Sequence, residues 1–272
     1  ITVPFSDPAD IYIINTCTVT QVADKKSRQM ISRAVHQGGK VIVSGCMPQA
    51  GSAEKVFELG ADAVIGTDGR NKILEIVNRV ENGESGIDGL NELNRFTKYE
   101  NLNISRVHGR TRANVKICDG CNQFCSYCII PYARGSVRSR DLDSITDEVR
   151  RLSEQGTKEV ILTGIHVASY GKDIGDIRLI DVMEAIQEIQ GINRIRLSSV
   201  EPSLLTEEFA RRASALDKLC PHFHVSLQSG SDTVLKRMNR KYTSSDYEGY
   251  IENIRKYFSY PAVTTDIIAG FQ

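Results

Sequence analysis

Asn114-Val-Lys-Ile-Cys-Asp-Gly-Cys-Asn-Gln-Phe-Cys-Ser-Tyr-Cys128 decides how the rest of the chain is read. Residues 114–117 predict a β-strand, and Cys121, Cys125 and Cys128 follow on a short loop with the spacing C-x3-C-x2-C. Three thiolates on one tight loop can hold three irons of a [4Fe–4S] cubane. The fourth iron is then left open for a substrate or cofactor. That is the physical requirement for cleaving S-adenosylmethionine (SAM), whose amino and carboxylate groups chelate the open iron. A second reading competes. Cys118-x2-Cys121 and Cys125-x2-Cys128 form two C-x2-C pairs, and four thiolates close a tetrahedral zinc site, as in a zinc-binding interaction module. The three-residue gap between the pairs is short for a zinc ribbon, so the cluster is preferred. Cys118, on the same strand face as Lys116, reads as a small buried residue.

Downstream of the loop, strand and helix signals alternate. Strands are expected at 114–117, 159–163, 194–199, 222–228 and 263–268. Helices are expected near 144–155, 179–190, 206–218, 231–238 and 245–258. Ser144-x-x-Asp147 fits a helix start, and Gly156 and Gly191 fit helix ends. Five βα repeats predict a barrel or partial barrel with its site at the C-terminal strand ends, where the cysteine loop falls. On the fourth strand His222, His224, Ser226 and Gln228 alternate with Phe223, Val225 and Leu227, placing the polar set toward the barrel interior. The final strand runs almost to Gln272, which points to a barrel cut short there.

Upstream, 10–15, 40–44 and 61–65 read as strands, and 22–37, 53–59 and 69–81 as helices. That order predicts a parallel α/β sandwich. Cys17 and Cys46 each follow a strand, so both fall at the C-terminal sheet edge where ligands bind, with ligation and core burial both open. Residues 82–111 are polar and aperiodic and read as a linker. The expected division is 1–81, 82–111 and 112–272. Cys220, before Pro221 at a helix–strand junction, reads as structural.

Composition narrows the class. The chain has 272 residues, 40% apolar and 25% charged, ordinary for a globular protein. Lys+Arg and Asp+Glu are both 34, so net charge gives no support for a nucleic-acid partner. No apolar run reaches the ~18 residues of a membrane span, and no signal peptide is visible. Four of the seven cysteines lie within 118–128, a crowding that suits metal binding in a reducing, intracellular setting better than disulfides. Ile1 in place of Met suggests that the start is missing.

Several motifs together resemble one family, the radical SAM methylthiotransferases. They are Ile14-Asn-Thr-Cys-Thr-Val19, Asp24-Lys-Lys-Ser-Arg28, Ser44-Gly-Cys46, Gly120 to Gly135 around the cysteine loop, Gln228-Ser-Gly-Ser231 and Met238-Asn-Arg-Lys-Tyr242. Three branches of that family act on isopentenyl-adenosine in tRNA, on a ribosomal-protein aspartate, and on N6-threonylcarbamoyladenosine beside the anticodon. Pro131-Tyr-Ala-Arg-Gly135, Arg138-Ser-Arg140, Leu162-Thr-Gly-Ile-His166 and Ala9 to Cys17 resemble the third.

The resemblance implies a 2-methylthio group placed on the base through two uses of SAM. One SAM is cleaved to a 5′-deoxyadenosyl radical that abstracts hydrogen from adenine carbon 2. A second methylates sulfur at an auxiliary [4Fe–4S] cluster. Cys121, Cys125 and Cys128 are implied ligands of the radical cluster, complete in this chain. Cys17 and Cys46 match the second and third auxiliary ligands, and the first is expected upstream of Ile1. The family's last barrel strand and C-terminal tRNA-binding domain have no counterpart, so an internal fragment is expected. SAM contacts are expected from Tyr127, Thr163, Gly164, Ser199, Glu201 (to ribose) and Gln228. His166 is a candidate for substrate contact, and Arg134, Arg138 and Arg140 for RNA phosphates, each against a plainly structural role. Implied partners are the tRNA anticodon stem-loop, SAM and an electron donor such as flavodoxin or ferredoxin. The setting is cytoplasmic, with no membrane.

Overall fold

The computed structural model describes residues 1–93, 98–102 and 110–272, so parts of the segment read as a linker, 94–97 and 103–109, lie outside the described residues. The chain divides into two compact units. The first is Ile1–Glu100 with Cys128–Ser136, and the second Asn101–Tyr127 with Val137–Gln272.

In the first unit, strands β1 (Ile11–Thr16), β2 (Lys40–Gly45), β3 (Ala63–Ile65) and β4 (Ile87–Gly89) form a parallel sheet in that order. Helices α1 (Gln21–His36), α2 (Cys46–Ala50), α3 (Ala53–Phe57), α4 (Ile73–Glu81) and α5 (Ile130–Arg134) complete it. β2 is apolar on both faces for a reason. Val41 and Val43 pack with Ile31 and Ala34 of α1, whereas Ile42 packs with Ile76 and Val80 of α4. A parallel strand covered on both sides reads as a continuous apolar run. The expected parallel α/β arrangement is therefore present. β4 falls inside the segment read as a linker. Its three residues, Ile-Asp-Gly, are too few to show a period, yet they pair with Ala63, Val64 and Ile65.

In the second unit, β5 (Arg112–Asp119), β6 (Arg138–Ser139), β7 (Glu159–Gly164) and β8 (Arg194–Leu197) form a sheet ordered β6-β5-β7-β8, with only β6 antiparallel. β9 (His222–His224) and β10 (Ala262–Thr264) pair in parallel. Bridges Ile195–Leu219 and Val200–Val225 carry the β8 edge onto β9, so the parallel strands curl as a partial barrel. Helices α6 (Leu142–Glu154), α7 (Leu179–Gln187), α8 (Glu207–Ser214), α9 (Asp232–Arg237) and α10 (Ser244–Tyr257) lie between successive strands. α6 buries Ile145, Val149 and Leu152, one stripe at helical spacing, in a core shared with Val115, Leu162, Ile195 and Phe223.

Three local expectations are corrected. α6 starts earlier than the Ser144 pattern suggests, because Asp141 accepts the Ser144 amide as N-cap. Gly191 lies beyond the end of α7, capped at Glu188. The last strand stops at Thr264, and beyond it only Ile267 bridges to Gln228.

Candidate functional site

The cysteine loop leaves the C-terminal end of β5. Cys121 is buried and Cys125 and Cys128 are half-buried; Cys128 opens the 128–136 segment of the first unit. Phe124 takes φ +49°, a left-handed turn that reverses the chain between Cys121 and Cys125. The turn after α9 pins this tip. The Ser126 amide donates to Met238 O (3.1 Å) and its hydroxyl to Arg237 O (2.8 Å). Asn239, itself at φ +57°, donates from Nδ2 to Phe124 O at 2.8 Å. The next residue, Arg240, donates from Nη1 to Cys125 Sγ at 3.3 Å. Thus two motifs more than 100 residues apart, Cys121–Cys128 and Met238–Tyr242, form one structure.

Arg240 is buried and multiply held. Nη2 donates to Glu201 Oε2 at 2.7 Å and to Ser226 O at 3.3 Å, and Nε donates to Tyr242 Oη at 3.0 Å. Burial works to lower its pKa, but Glu201, Tyr242 and Cys125 together outweigh it and the guanidinium is held protonated more firmly than usual. Tyr242, pushed up to about 12 by burial, stays a neutral phenol and donates to Ser226 O and Leu227 O, both at 2.7 Å.

The expected SAM residues differ in setting. Thr163 and Gly164 end β7 beside Lys116 and Cys118 of β5. Gly164 is required by packing, since a Cβ there would lie 2.5 Å from Cys118 Sγ. Glu201 does not stand open for a ribose: its carboxylate accepts from Arg240, and His166 Nε2 lies 3.7 Å from the same oxygen. His166 Nδ1 is 2.8 Å from Ser169 Oγ, while its buried Nε2 has no hydrogen-bond partner among the described atoms. Ser199 is exposed. Gln228 adopts φ +67° and exchanges backbone bonds with Asp266 and Ile268. Tyr127 is exposed and meets the Phe271 ring edge-on at 6.0 Å. The alternation at 222–228 holds in burial as far as Ser226: Phe223 and Val225 are buried, and His222, His224 and Ser226 are half-buried, but Leu227 is half-buried as well. Cys220 is half-buried where its amide donates to Ile195 O.

For charge and metal the structure bears on two alternatives that the sequence left open. Arg138 and Arg140 are not presented to RNA. Both are buried, Arg140 on Glu148, Ser144 and Lys116 O, and Arg138 beside Asp119 at 3.9 Å. Arg140 is held by the first two turns of α6 and Arg138 lies near Asp119 at the end of β5, contacts that only folding makes. Arg134 is half-buried in α5. The four-thiolate zinc alternative gains no support at Cys118, which is fully buried with its Sγ packed against Gly164 of β7.

In the first unit the register sets Thr16 opposite Gly45, so Cys17 and Cys46 leave neighbouring strands at the same level. Gly45 (φ +107°) admits no side chain, because a Cβ would meet Thr16 O at 2.5 Å. Thr16 Oγ1 donates to Ser44 O and accepts from the Met47 amide, and Ser27 Oγ meets both backbone groups of Cys17. Cys17 is exposed and Cys46 buried.

Among the described residues, no three His, Cys, Asp or Glu side chains converge as a preformed ion site. The donor set nevertheless fits an iron–sulfur cluster. It offers three thiols on one loop, a turned tip held by the 237–240 segment, and a guanidinium on a ligand-candidate sulfur to balance negative charge. No described helix is long and apolar enough to cross a membrane.

Known proteins resemble this chain in sequence and in fold. Residues 115–272 match the Radical SAM superfamily and 2–66 match Uncharacterized protein family UPF0004. The chain is 42% identical over 270 residues to threonylcarbamoyladenosine tRNA methylthiotransferase MtaB of Bacillus subtilis, covering 98% of this chain and 60% of that protein. It is 38% identical to the MtaB of Aquifex aeolicus (99% and 66%). It is 37% identical to the tRNA-2-methylthio-N(6)-dimethylallyladenosine synthase of Pelotomaculum thermopropionicum (98% and 61%). The chain thus spans about 60% of the length of these relatives. In fold it resembles the radical SAM methyltransferase TsrM of Kitasatospora setae, solved with cobalamin and a [4Fe-4S] cluster. The TM-score is 0.69 at 17% identity, covering 97% of this chain and 58% of that one.

Proposed function

The chain belongs to the radical SAM superfamily, and on that premise we propose that it carries the reaction core of a tRNA methylthiotransferase acting on N6-threonylcarbamoyladenosine next to the anticodon. The observation that carries this reading is two cysteine sets in one chain, the Cys121–Cys128 loop and the Cys17/Cys46 pair at one sheet edge.

Superfamily membership implies a [4Fe–4S] cluster and SAM. Cys121, Cys125 and Cys128 would hold the first cluster, and Cys17 and Cys46 would supply two ligands to a second. Bound there, the first cluster supplies the electron for reductive SAM cleavage. The chain's own residues then bind and orient. Thr163, Gly164, Ser199 and Gln228, at or just beyond strand ends, would contact SAM and Tyr127 its adenine, while Glu201, engaged by Arg240, would position that arginine rather than bind the ribose. Buried Phe223 and Val225 exclude water behind them. The partners in this reading are the tRNA anticodon stem-loop and a small electron donor of the flavodoxin or ferredoxin kind, in the cytoplasm.

Nucleoside mass spectrometry of tRNA from cells lacking the gene tests the reading. Loss of 2-methylthio-N6-threonylcarbamoyladenosine is expected. Its persistence, with the dimethylallyl counterpart lost instead, would move the enzyme to the substrate named for the Pelotomaculum relative. Anaerobic purification giving zinc and no iron or sulfide would refute the cluster itself.

A further inference from the structure

We propose that Arg240 sets the reduction potential of the cluster held by Cys125, acting on the thiolate sulfur from outside the ligand set. The inference rests on the reading of Cys125 as an iron ligand and goes beyond it. Hydrogen bonds to cluster sulfurs and solvent exclusion are the protein's main means of shifting such potentials.

Three observations point to this role. First, the Arg240 Nη1 to Cys125 Sγ distance is 3.3 Å, and the Arg240 side chain is 6% exposed, so its charge is little screened. Second, the guanidinium cannot turn away. Four of its five N–H donors are engaged, on Cys125, Glu201, Ser226 and Tyr242, and it lies 4.9 Å over the Tyr242 ring. A group so engaged is not available to clamp a ligand carboxylate. Third, Asn239, the neighbour of Arg240, fastens the loop that carries Cys125, so donor and sulfur keep their separation.

The sign follows from charge. Reduction adds an electron shared over the cluster sulfurs, and a donor carrying positive charge stabilises the reduced form more than the oxidised. Arg240 therefore raises the potential. Glu201, 2.7 Å from the same guanidinium, offsets part of that charge and lowers it.

The test is an anaerobic redox titration, read by electron paramagnetic resonance of the reduced cluster. It uses reconstituted protein carrying Cys17→Ala and Cys46→Ala, so that a single cluster titrates, with iron and sulfide counted in every sample. Arg240→Met keeps the length and removes donor and charge. At fixed poise its reduced-to-oxidised ratio should fall about tenfold, a midpoint lower by about 59 mV for one electron. Glu201→Gln should move the midpoint the opposite way, which a merely structural role for either residue would not do. An unmoved midpoint in Arg240→Met with iron and sulfide at parental levels overturns the proposal. Should Arg240→Met fail to retain iron, Glu201→Gln decides: an upward shift supports it and no shift overturns it. A parent that takes up no iron refutes instead the assignment of Cys125 as a ligand, and this inference falls with it.

Discussion

Gly164→Ala isolates one atom's worth of packing at the end of β7. The added Cβ would lie 2.5 Å from Cys118 Sγ, 3.0 Å from Cys118 O and 3.2 Å from Val167 Cγ1. The first distance is at least 1 Å inside the ~3.5–4.0 Å at which carbon contacts are attractive. Cys118 and Val167 are both essentially fully buried, so neither can retreat into solvent. Gly164 does not have a positive φ, so backbone strain adds nothing and the cost is overpacking alone. We expect the upper part of the 1–3 kcal/mol range for such insertions, about 2.5 kcal/mol. Cys118→Ala removes the sulfur and with it the worst contact. In that background Gly164→Ala should cost about 1 kcal/mol, a coupling of about 1.5 kcal/mol between the sites. The assay is hydrogen exchange of β5 and β7 peptides under increasing urea, which reports local opening free energy rather than a whole-chain average. A cost below about 0.5 kcal/mol, or an equal cost with and without the sulfur, would refute the packing argument. Gly164 would then have to be explained by ligand approach, as the sequence suggested.

Glu159, buried beneath Arg112, Arg194 and Arg196, should stabilise the strand starts by about 2 kcal/mol, so Glu159→Gln should lower the urea midpoint at pH 7. Burial raises its pKa, but hydrogen bonds from Arg194 and Arg196 prevail and lower it below the usual 4.5. The difference between parent and variant should therefore be constant above about pH 5 and vanish as pH falls through the folded-state value; a difference growing at low pH would reverse the sign argument. Arg140→Met strands Glu148 in the core and should cost about 3–5 kcal/mol, whereas the double variant Arg140→Met/Glu148→Leu should recover most of it by thermal unfolding. Asn239→Ala loses the bond to Phe124 O and imposes a left-handed backbone cost of about 1–2 kcal/mol, so amides of 121–127 should exchange faster; Asn239→Gly should show only the part due to the lost bond.

What the sequence revealed was whatever is periodic or tightly spaced. β5 and β7 fell within two residues of expectation because β5 alternates buried Ala113, Val115 and Ile117 with more exposed Asn114 and Lys116, and β7 carries the apolar run Val160-Ile-Leu162. Elements of two or three residues, such as β4 and β6, carry no period to read. They exist because a neighbouring strand offers free hydrogen-bonding groups, a tertiary cause. Arg138 and Arg140 were misleading for a related reason. A charged loop residue usually faces water, and only folding brings Glu148 onto Arg140 and Asp119 near Arg138. Arg240 was visible as part of a motif but its task was not, since the sulfur it meets is 115 residues earlier.

The same topology explains why the chemistry gathers where it does. In a parallel βα unit every strand delivers its C-terminal end to one side, so residues remote in sequence become neighbours without a dedicated connection. In the second unit the loop after β5 brings Cys125, the segment after β7 brings His166, the segment after β8 brings Glu201, and the one after β9 brings Ser226. Arg240 touches three of these four directly, and its carboxylate partner faces the fourth. A substitution at Glu201 is therefore felt at Cys125 through one side chain. If the guanidinium only filled space, Arg240→Met would be nearly silent at the sulfur; if it works electrostatically, the two substitutions must shift the cluster in opposite directions.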